Sequence, residues 1–321
     1  MSSADRIYVA GHCGLVGSAI LRRLRAVGYK NIVTRTRTEL DLAGQASVHS
    51  FFVSEKPDYV VLAAAHVGGI LANATSPADF IRENLLIQTN VIHSAYEQGV
   101  ERILFLGSSC IYPRNCPQPI REEYFLTGPL EKTNLAYAIA KIAGVEMCHA
   151  YNQQYGTKYL CVMPANLYGP ADNFDLQTSH VLPAMIRKFH EAKMSGEPVV
   201  LWGTGCPRRE FLHVDDLADA CLHLMALREE RLDHLFSSDA PPLLNIGIGI
   251  DITIRELAAL VAEVVDYQGE MQWDAAKPDG TPQKLLDTSR LLNLGWKPRI
   301  SLLEGLRDLY EWFQRETPVR Q

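Results

Sequence analysis

Ile7-Tyr8-Val9-Ala10-Gly11-His12-Cys13-Gly14-Leu15-Val16-Gly17 decides the fold. Four apolar residues suit a buried strand, the glycines a tight turn, and the amphipathic pattern that follows to about residue 27 suits a helix. Strand, glycine turn and helix in that order make a phosphate cradle: Gly11 permits the turn, Gly14 lets the backbone approach a pyrophosphate, and Gly17 lets helix and strand pack closely. A glycine trio alone is a modest signal. Its place on the first strand-helix unit makes dinucleotide binding the favoured reading over a simple turn.

Outward from this stretch, strands and helices alternate. The second strand, Asn31-Ile32-Val33-Thr34, ends in Arg35-Thr36-Arg37, where an acid for a ribose 2'-hydroxyl is usual in NAD-specific proteins. Arg37 lies about 20 residues past the last glycine, and its guanidinium suits a 2'-phosphate, which favours NADP(H). Helical patterns are expected at 47–55 and 77–98, with strands at Asp58-Tyr59-Val60-Val61-Leu62 and Leu104-Phe105-Leu106. His66-Val67-Gly68-Gly69-Ile70 is expected to be a loop near the carboxyl edge of the sheet, with no catalytic role for His66.

The second informative stretch is Tyr137-Ala138-Ile139-Ala140-Lys141, on a helix expected from 134 to about 155. Tyrosine and lysine four apart share a helix face, so they can meet at one reacting atom. A phenol titrates near ~10, and a neighbouring ammonium favours its ionised form. The same spacing also arises from a half-buried ring beside a snorkelling cation. Ser108, at the end of the strand leading through Gly107, turns the balance toward chemistry, because open parallel sheets bind ligands at their carboxyl ends.

Serine, tyrosine and lysine in this order, after a glycine-rich first turn, resemble the extended, nucleotide-sugar-modifying branch of the short-chain dehydrogenase/reductases. Dehydratases of that branch carry an Asp-Glu pair after the strand-end serine or threonine, whereas this chain has Cys110-Ile111. A thiol titrating near ~8.5 can, with modest help, take a proton from carbon beside a ketone, and His180 suits the return of a proton on the other face. The competing readings are a small buried hydrophobe for Cys110 and a helix-start residue for His180.

Gly107-Ser108-Ser109-Cys110-Ile111-Tyr112-Pro113, Tyr137 to Gly144, Asn166-Leu167-Tyr168-Gly169-Pro170, Asp172-Asn173-Phe174, Ser179-His180-Val181, Arg209 to Asp216 and Lys277 to Pro282 together resemble the GDP-L-fucose synthase family over nearly the whole chain. That resemblance implies an α/β fold, a Rossmann-type doubly wound parallel sheet with a smaller intergrown C-terminal substrate lobe. The division would be 1–165 plus about 213–248 for the NADP-binding domain, and about 166–212 plus 249–321 for the lobe. It implies a bifunctional enzyme that epimerises C3 and C5 of GDP-4-keto-6-deoxy-D-mannose and reduces C4 with NADPH, working as a homodimer.

By the same resemblance Cys110 is the base and His180 the acid, Ser108 and Tyr137 meet the C4 oxygen, and Lys141 tunes Tyr137 and holds the nicotinamide ribose. NADPH or NADP+ would touch Gly11, His12, Cys13, Gly14, Leu15, Val16, Gly17, Arg37, Leu106, Gly107, Lys141, the turn Pro164-Ala165-Asn166-Leu167, and His180. Lys188 and Arg209 are candidates for the substrate pyrophosphate, and Trp202 and Asp279 for its nucleotide or sugar; solvent exposure is the competing reading of each. Two departures stand out. Cys13 replaces an arginine common in relatives, which leaves NADP preference on Arg37, and Lys188 replaces another arginine, keeping charge but losing the bidentate fork.

Composition sets the outer bounds. The 321 residues, 47% hydrophobic, suffice for a full core in one large or two intergrown domains. A net charge of -6 gives no bulk attraction for nucleic acid or an anionic membrane, so an anionic substrate needs a local basic pocket. Seven cysteines with no Cys-x-x-Cys pair suggest neither a disulfide framework nor a metal site. No basic-apolar leader is visible at the N-terminus, which makes the cytoplasm the expected compartment. Rivals to the main reading are a 4-epimerase or 4,6-dehydratase, against which the absent Asp-Glu pair argues, and a non-enzymatic NADP(H) sensor, which has no need of Ser108, Tyr137 and Lys141.

Overall fold

Strand β1 (Ile7–Ala10) is fully buried and lies between β2 (Ile32–Val33) and β3 (Tyr59–Leu62), all parallel. In this computed structural model, which describes residues 1–236, 239–277 and 279–316, the sheet continues through β4 (Arg102–Leu106) and β5 (Leu160–Pro164). After the short strands β6 (Asn166–Tyr168), β7 (Val199–Trp202), β8 (Arg208–Arg209) and β9 (Phe211–His213), β10 (Leu243–Ile246) closes the far edge. The order β2-β1-β3-β4-β5-β10 is parallel throughout, and its strands are near-continuous apolar runs because helices cover both faces. The chain reverses direction across the sheet between β1 and β3, which opens a crevice at their carboxyl ends.

The helices are α1 (Leu15–Ala26), α2 (Gln45–Glu55), α3 (Ile70–Thr75), α4 (Pro77–Glu97), α5 (Leu135–Tyr155), α6 (Val181–Ser195), α7 (Val214–Ala226), α8 (Glu229–Phe236), α9 (Ile254–Val265), α10 (Ser289–Asn293) and α11 (Leu302–Glu316). The segment from His66 is only partly the expected loop, since it enters α3 at Ile70. Thr253 and Glu256, spaced as a threonine cap and an acid three residues on, form a capping box at α9. At the start of α7 the cap is a histidine rather than one of the two aspartates that follow it: the His213 ring accepts from the Asp215 N–H at 3.2 Å. Asp216 instead accepts from the Arg299 and Ile300 N–H groups, and Asp215 pairs with Arg22. A turn motif cannot reveal those distant partners.

Two apolar cores form. The larger one gathers both sides of the main sheet and takes in Leu286, Leu291, Leu294 and Trp296 from late in the chain. The smaller gathers Tyr168, α6, α9 and α11, with Phe189, Val261 and Leu309 fully buried. Three small sheets accompany them: β6 with β9, β8 with both β11 (Ile252–Thr253) and β13 (Gln283–Lys284), and β7 with β12 (Met271–Asp274). All seven cysteines are free thiols. Among the described residues no helix is long and apolar enough to cross a membrane. Pro278 of the motif running from Lys277 to Pro282 lies outside the described residues.

Candidate active site

The phosphate cradle is built as its glycines require. Gly11 has φ +85°, and a Cβ there would come within 2.6 Å of the Ala64 backbone on the next strand's exit. A Cβ on Gly17 would meet the Gly11 carbonyl oxygen at 2.1 Å, so α1 sits directly on the turn. At Gly14 the space is open, with nothing nearer than that same oxygen at 3.6 Å. Gly14 is the N-cap of α1 and supplies no side-chain acceptor, so the helix end is left to face an anion. These features fit the diphosphate of a dinucleotide. His12 and Cys13 flank the turn with Nε2 and Sγ 3.3 Å apart, and the His12 Nδ1 is buried without a partner.

The two arginines after β2 divide. Arg35 is tied to Glu55 and lies over the Phe51 ring, so it belongs to the α2 packing. Arg37 extends into solvent with Glu83 of α4 at 3.6 Å, and Glu83 in turn meets the His66 Nδ1 at 2.9 Å. Sequence reasoning missed Glu83, because nothing in its local pattern shows that α4 passes the end of β2.

At the end of β4 the chain turns through a short 3-10 segment, Ser109–Ile111, capped by the Ser108 hydroxyl, which accepts from the Cys110 N–H at 3.4 Å. The same hydroxyl lies beside both the Tyr137 phenol and the Cys110 thiol and favours the ionised form of each. Lys141, one turn along α5 from Tyr137 and only 3% exposed, donates to the Leu106 carbonyl at 2.7 Å and lies over the Phe105 and Tyr137 rings, 4.8 and 5.8 Å from their centroids. β4 and α5 therefore bring Leu106, Ser108, Cys110, Tyr137 and Lys141 to one place.

Burial governs the protonation here. It pushes the Tyr137 phenol up, with Cys110 adding to the rise and Ser108 opposing it, so the ring rests protonated. This corrects the expectation that Lys141 sets the Tyr137 pKa: the ammonium sits over the ring rather than at the hydroxyl, and is itself pushed down to about 8 by burial. Cys110, 5% exposed, is also pushed up by burial, and the nearby Lys284 charge is the chief opposing influence. His180, the N-cap of α6, keeps an exposed edge, yet burial of its ring, followed by the Lys284 charge, pushes its pKa down. Its imidazole has no hydrogen-bond partner among the described residues.

The turn from Pro164 to Leu167 leaves the sheet beside this cluster. Ala165 donates to the Ile246 carbonyl at 2.9 Å, and Asn166 is clamped to the Glu210 carbonyl through Nδ2 at 2.8 Å. Across the crevice, Trp202 is 55% exposed and flanked by Lys188 and Lys277, whose Nζ atoms lie 5.6 and 5.3 Å from its ring centroids. Asp279 accepts from both the N–H and the hydroxyl of Thr204, at 2.7 and 2.8 Å, so it holds the turn that presents Trp202. Arg209 is half-buried, bonds the Arg208 carbonyl at 2.7 Å and feels the Asp279 charge. Beside it stands Lys284, which sequence reasoning also missed, since only the long-range pairing of β13 with β8 brings it to the site.

Residues 7–237 match the NAD dependent epimerase/dehydratase family. The chain is 60% identical to GDP-L-fucose synthase 1 of Arabidopsis thaliana over 309 residues, covering 96% of this chain and 93% of that protein. It is 54% identical to the GDP-L-fucose synthase of Escherichia coli K12 over 315 residues, with 97% of each covered. A solved GDP-mannoheptose C4 reductase of Campylobacter jejuni with NADP bound superposes with a TM-score of 0.88 at 40% identity, over 98% of this chain and 99% of that one. The chain belongs to the NAD dependent epimerase/dehydratase family, among its GDP-L-fucose synthases.

Proposed function

We propose that this protein, an NADP(H)-using enzyme of GDP-sugars, takes GDP-4-keto-6-deoxy-D-mannose as substrate, inverts C3 and C5 and reduces the C4 ketone to give GDP-L-fucose. It works as a homodimer in the cytoplasm. The observation that carries the reading is the sharing of the Ser108 hydroxyl by an acid for reduction, Tyr137, and a base for epimerisation, Cys110. One ketone placed at Ser108 lies in reach of both chemistries.

The ketone acidifies both neighbouring carbons, which lets one pair of groups work twice. Cys110 takes the proton from C3 or C5 while the electron pair passes to the C4 oxygen, held by Ser108 and Tyr137. His180, with a free imidazole, returns a proton to the opposite face. Bound NADPH supplies a hydride to C4, and the cradle of residues 11–17, Arg37, Lys141 and the turn 164–167 would hold it. Tyr137, kept protonated by burial, gives its proton to the C4 oxygen. Lys188, Trp202 and Arg209 would bind the GDP moiety, with Asp279 fixing the Trp202 turn. The division proposed for the chain, 1–165 with 213–248 against 166–212 with 249–321, puts the cofactor on the larger part and GDP on the smaller.

The Campylobacter relative, whose title names a C4 reductase, sets a second reading: reduction without epimerisation. Incubation of the parent and Cys110→Ser with the keto-sugar and NADPH in heavy water separates the two. The expected result is deuterium at C3 and C5 and NADPH consumption by the parent, with exchange lost from the variant. NADPH consumption with no exchange would establish the reductase reading instead, and neither signal would remove the assignment.

A further inference from the structure

Lys284 has a position without an evident structural use. The parallel pairing of β13 with β8 sets it opposite Arg209, and it lines a small cavity with Ser109, Cys110, Gln283 and the ion pair Arg114–Glu131. The other cations around the site are engaged: Arg114 with Glu131 at 3.1 Å, Arg209 with the Arg208 carbonyl, Lys188 with the Val200 carbonyl at 2.8 Å. Lys284 is half-buried: its carbonyl accepts from the Glu210 N–H at 3.3 Å, while its ammonium has no hydrogen-bond or ion-pair partner among the described residues. An ammonium held partly out of water without a counter-ion is costly. A glutamine or leucine there would avoid that cost.

We propose that Lys284 is the charge that drives proton abstraction, acting on the Cys110 sulfur across the small cavity that both residues line. The inference rests on the epimerisation reading above. When the C–H bond at C3 or C5 breaks, its electron pair passes into the enolate at C4 and its proton to the Cys110 sulfur. When an imidazolium N–H of His180 breaks, the proton forms the new C–H bond on the opposite face. The Lys284 ammonium transfers no proton; its field stabilises the Cys110 thiolate and makes it easier to form, while the same field disfavours the charged His180 imidazolium and leaves it readier to give up its proton. The remaining charged or titratable groups around Lys284 are Arg209, Cys116, Glu131, Arg114 and Tyr112. Of these, Arg209 opposes the Lys284 charge, while Cys116 and Glu131 support it.

Lys284→Gln and Lys284→Arg, checked for retained NADPH binding, test this. Two quantities are read: the midpoint of the ultraviolet thiolate absorbance that the parent shows and Cys110→Ser lacks, and the rate of deuterium entry at C3 and C5 with saturating substrate. Loss of the charge is expected to raise the midpoint by about one pH unit and to slow deuterium entry about tenfold at neutral pH, with Lys284→Arg restoring most of both. An unchanged midpoint with only a raised KM would overturn the proposal and make Lys284 a substrate-binding cation. If Lys284→Gln does not bind NADPH, Lys284→Met carries the same comparison. The thiolate midpoint needs no substrate, so absent deuterium entry in the parent would sink the epimerisation reading while the midpoint still judges Lys284.

Discussion

Tyr137 and Lys141 show how far the meaning of a motif depends on burial. The spacing suggested an ammonium that ionises a phenol, whereas the structure places the ammonium over the ring and leaves the phenol protonated. A protonated tyrosine is the useful form for reduction, because a ketone receiving hydride needs a proton. Tyr137→Phe is therefore expected to lower NADPH oxidation by about 10²–10⁴-fold while deuterium entry at C3 and C5 persists. Loss of both together would show that Tyr137 also polarises the ketone for epimerisation. Lys141 makes a separate prediction about stability. Burial lowers its pKa from 10.5 to about 8 in the fold, so between these values the unfolded chain binds more protons and stability rises with pH. Below pH 8 the buried charge opposes folding. In the cofactor-free protein, Lys141→Met should be more stable than the parent at pH 7 by on the order of 2 kcal/mol, with the advantage vanishing toward pH 10.5. Denaturant midpoints at pH 7 and 10 measure it, and an advantage independent of pH would show that packing rather than charge is responsible.

Elements whose signals are local were legible in the sequence. The glycine turn and α1 follow from spacing, the capping box of α9 from Thr253 and Glu256, and the pairing of Tyr137 with Lys141 from one helical turn. What was not legible depends on where elements pass one another. Glu83 reaches Arg37 only because α4 crosses the end of β2, and Lys284 reaches Cys110 only because β13 lies beside β8. The α4 contact bears on cofactor choice. With Arg35 tied to Glu55 and cysteine at position 13, Arg37 is the cation left for a 2'-phosphate, and Glu83 competes for it. An exposed pair of this kind is worth ~0.2–1 kcal/mol, so Glu83→Gln should tighten NADPH binding about two- to fivefold and leave NADH nearly unchanged. Fluorescence titration of both cofactors decides it. Equal shifts for the two would show that Glu83 acts through the His66 segment instead.

At the scale of the whole molecule, the site draws on both cores, and α5 links it to the surface. One face of α5 packs Ala138, Lys141, Val145 and Cys148 against the sheet and α4. The opposite face carries Leu135, Ala136, Ile139, Ala143, Met147 and Ala150 at helical spacing, and Leu135 and Ile139 remain 40% and 42% exposed. A stripe of small and apolar residues on a long helix is what a second helix pair packs against, and the neighbouring α4 offers Leu86 on its own open face. In the proposed homodimer the α4–α5 pair of one subunit would pack on that of the other, so the helix bearing Tyr137 and Lys141 would be braced from outside. Ile139→Glu, which puts a charge in the middle of the stripe without touching the site, should then halve the mass measured by light scattering at micromolar concentration. It should also lower the thermal midpoint, because α5 loses its brace. A variant that keeps the parent's mass would place the dimer contact elsewhere, and a parent that is itself monomeric would remove the homodimer from the proposed function while leaving the chemistry of Ser108, Cys110 and Tyr137 as argued.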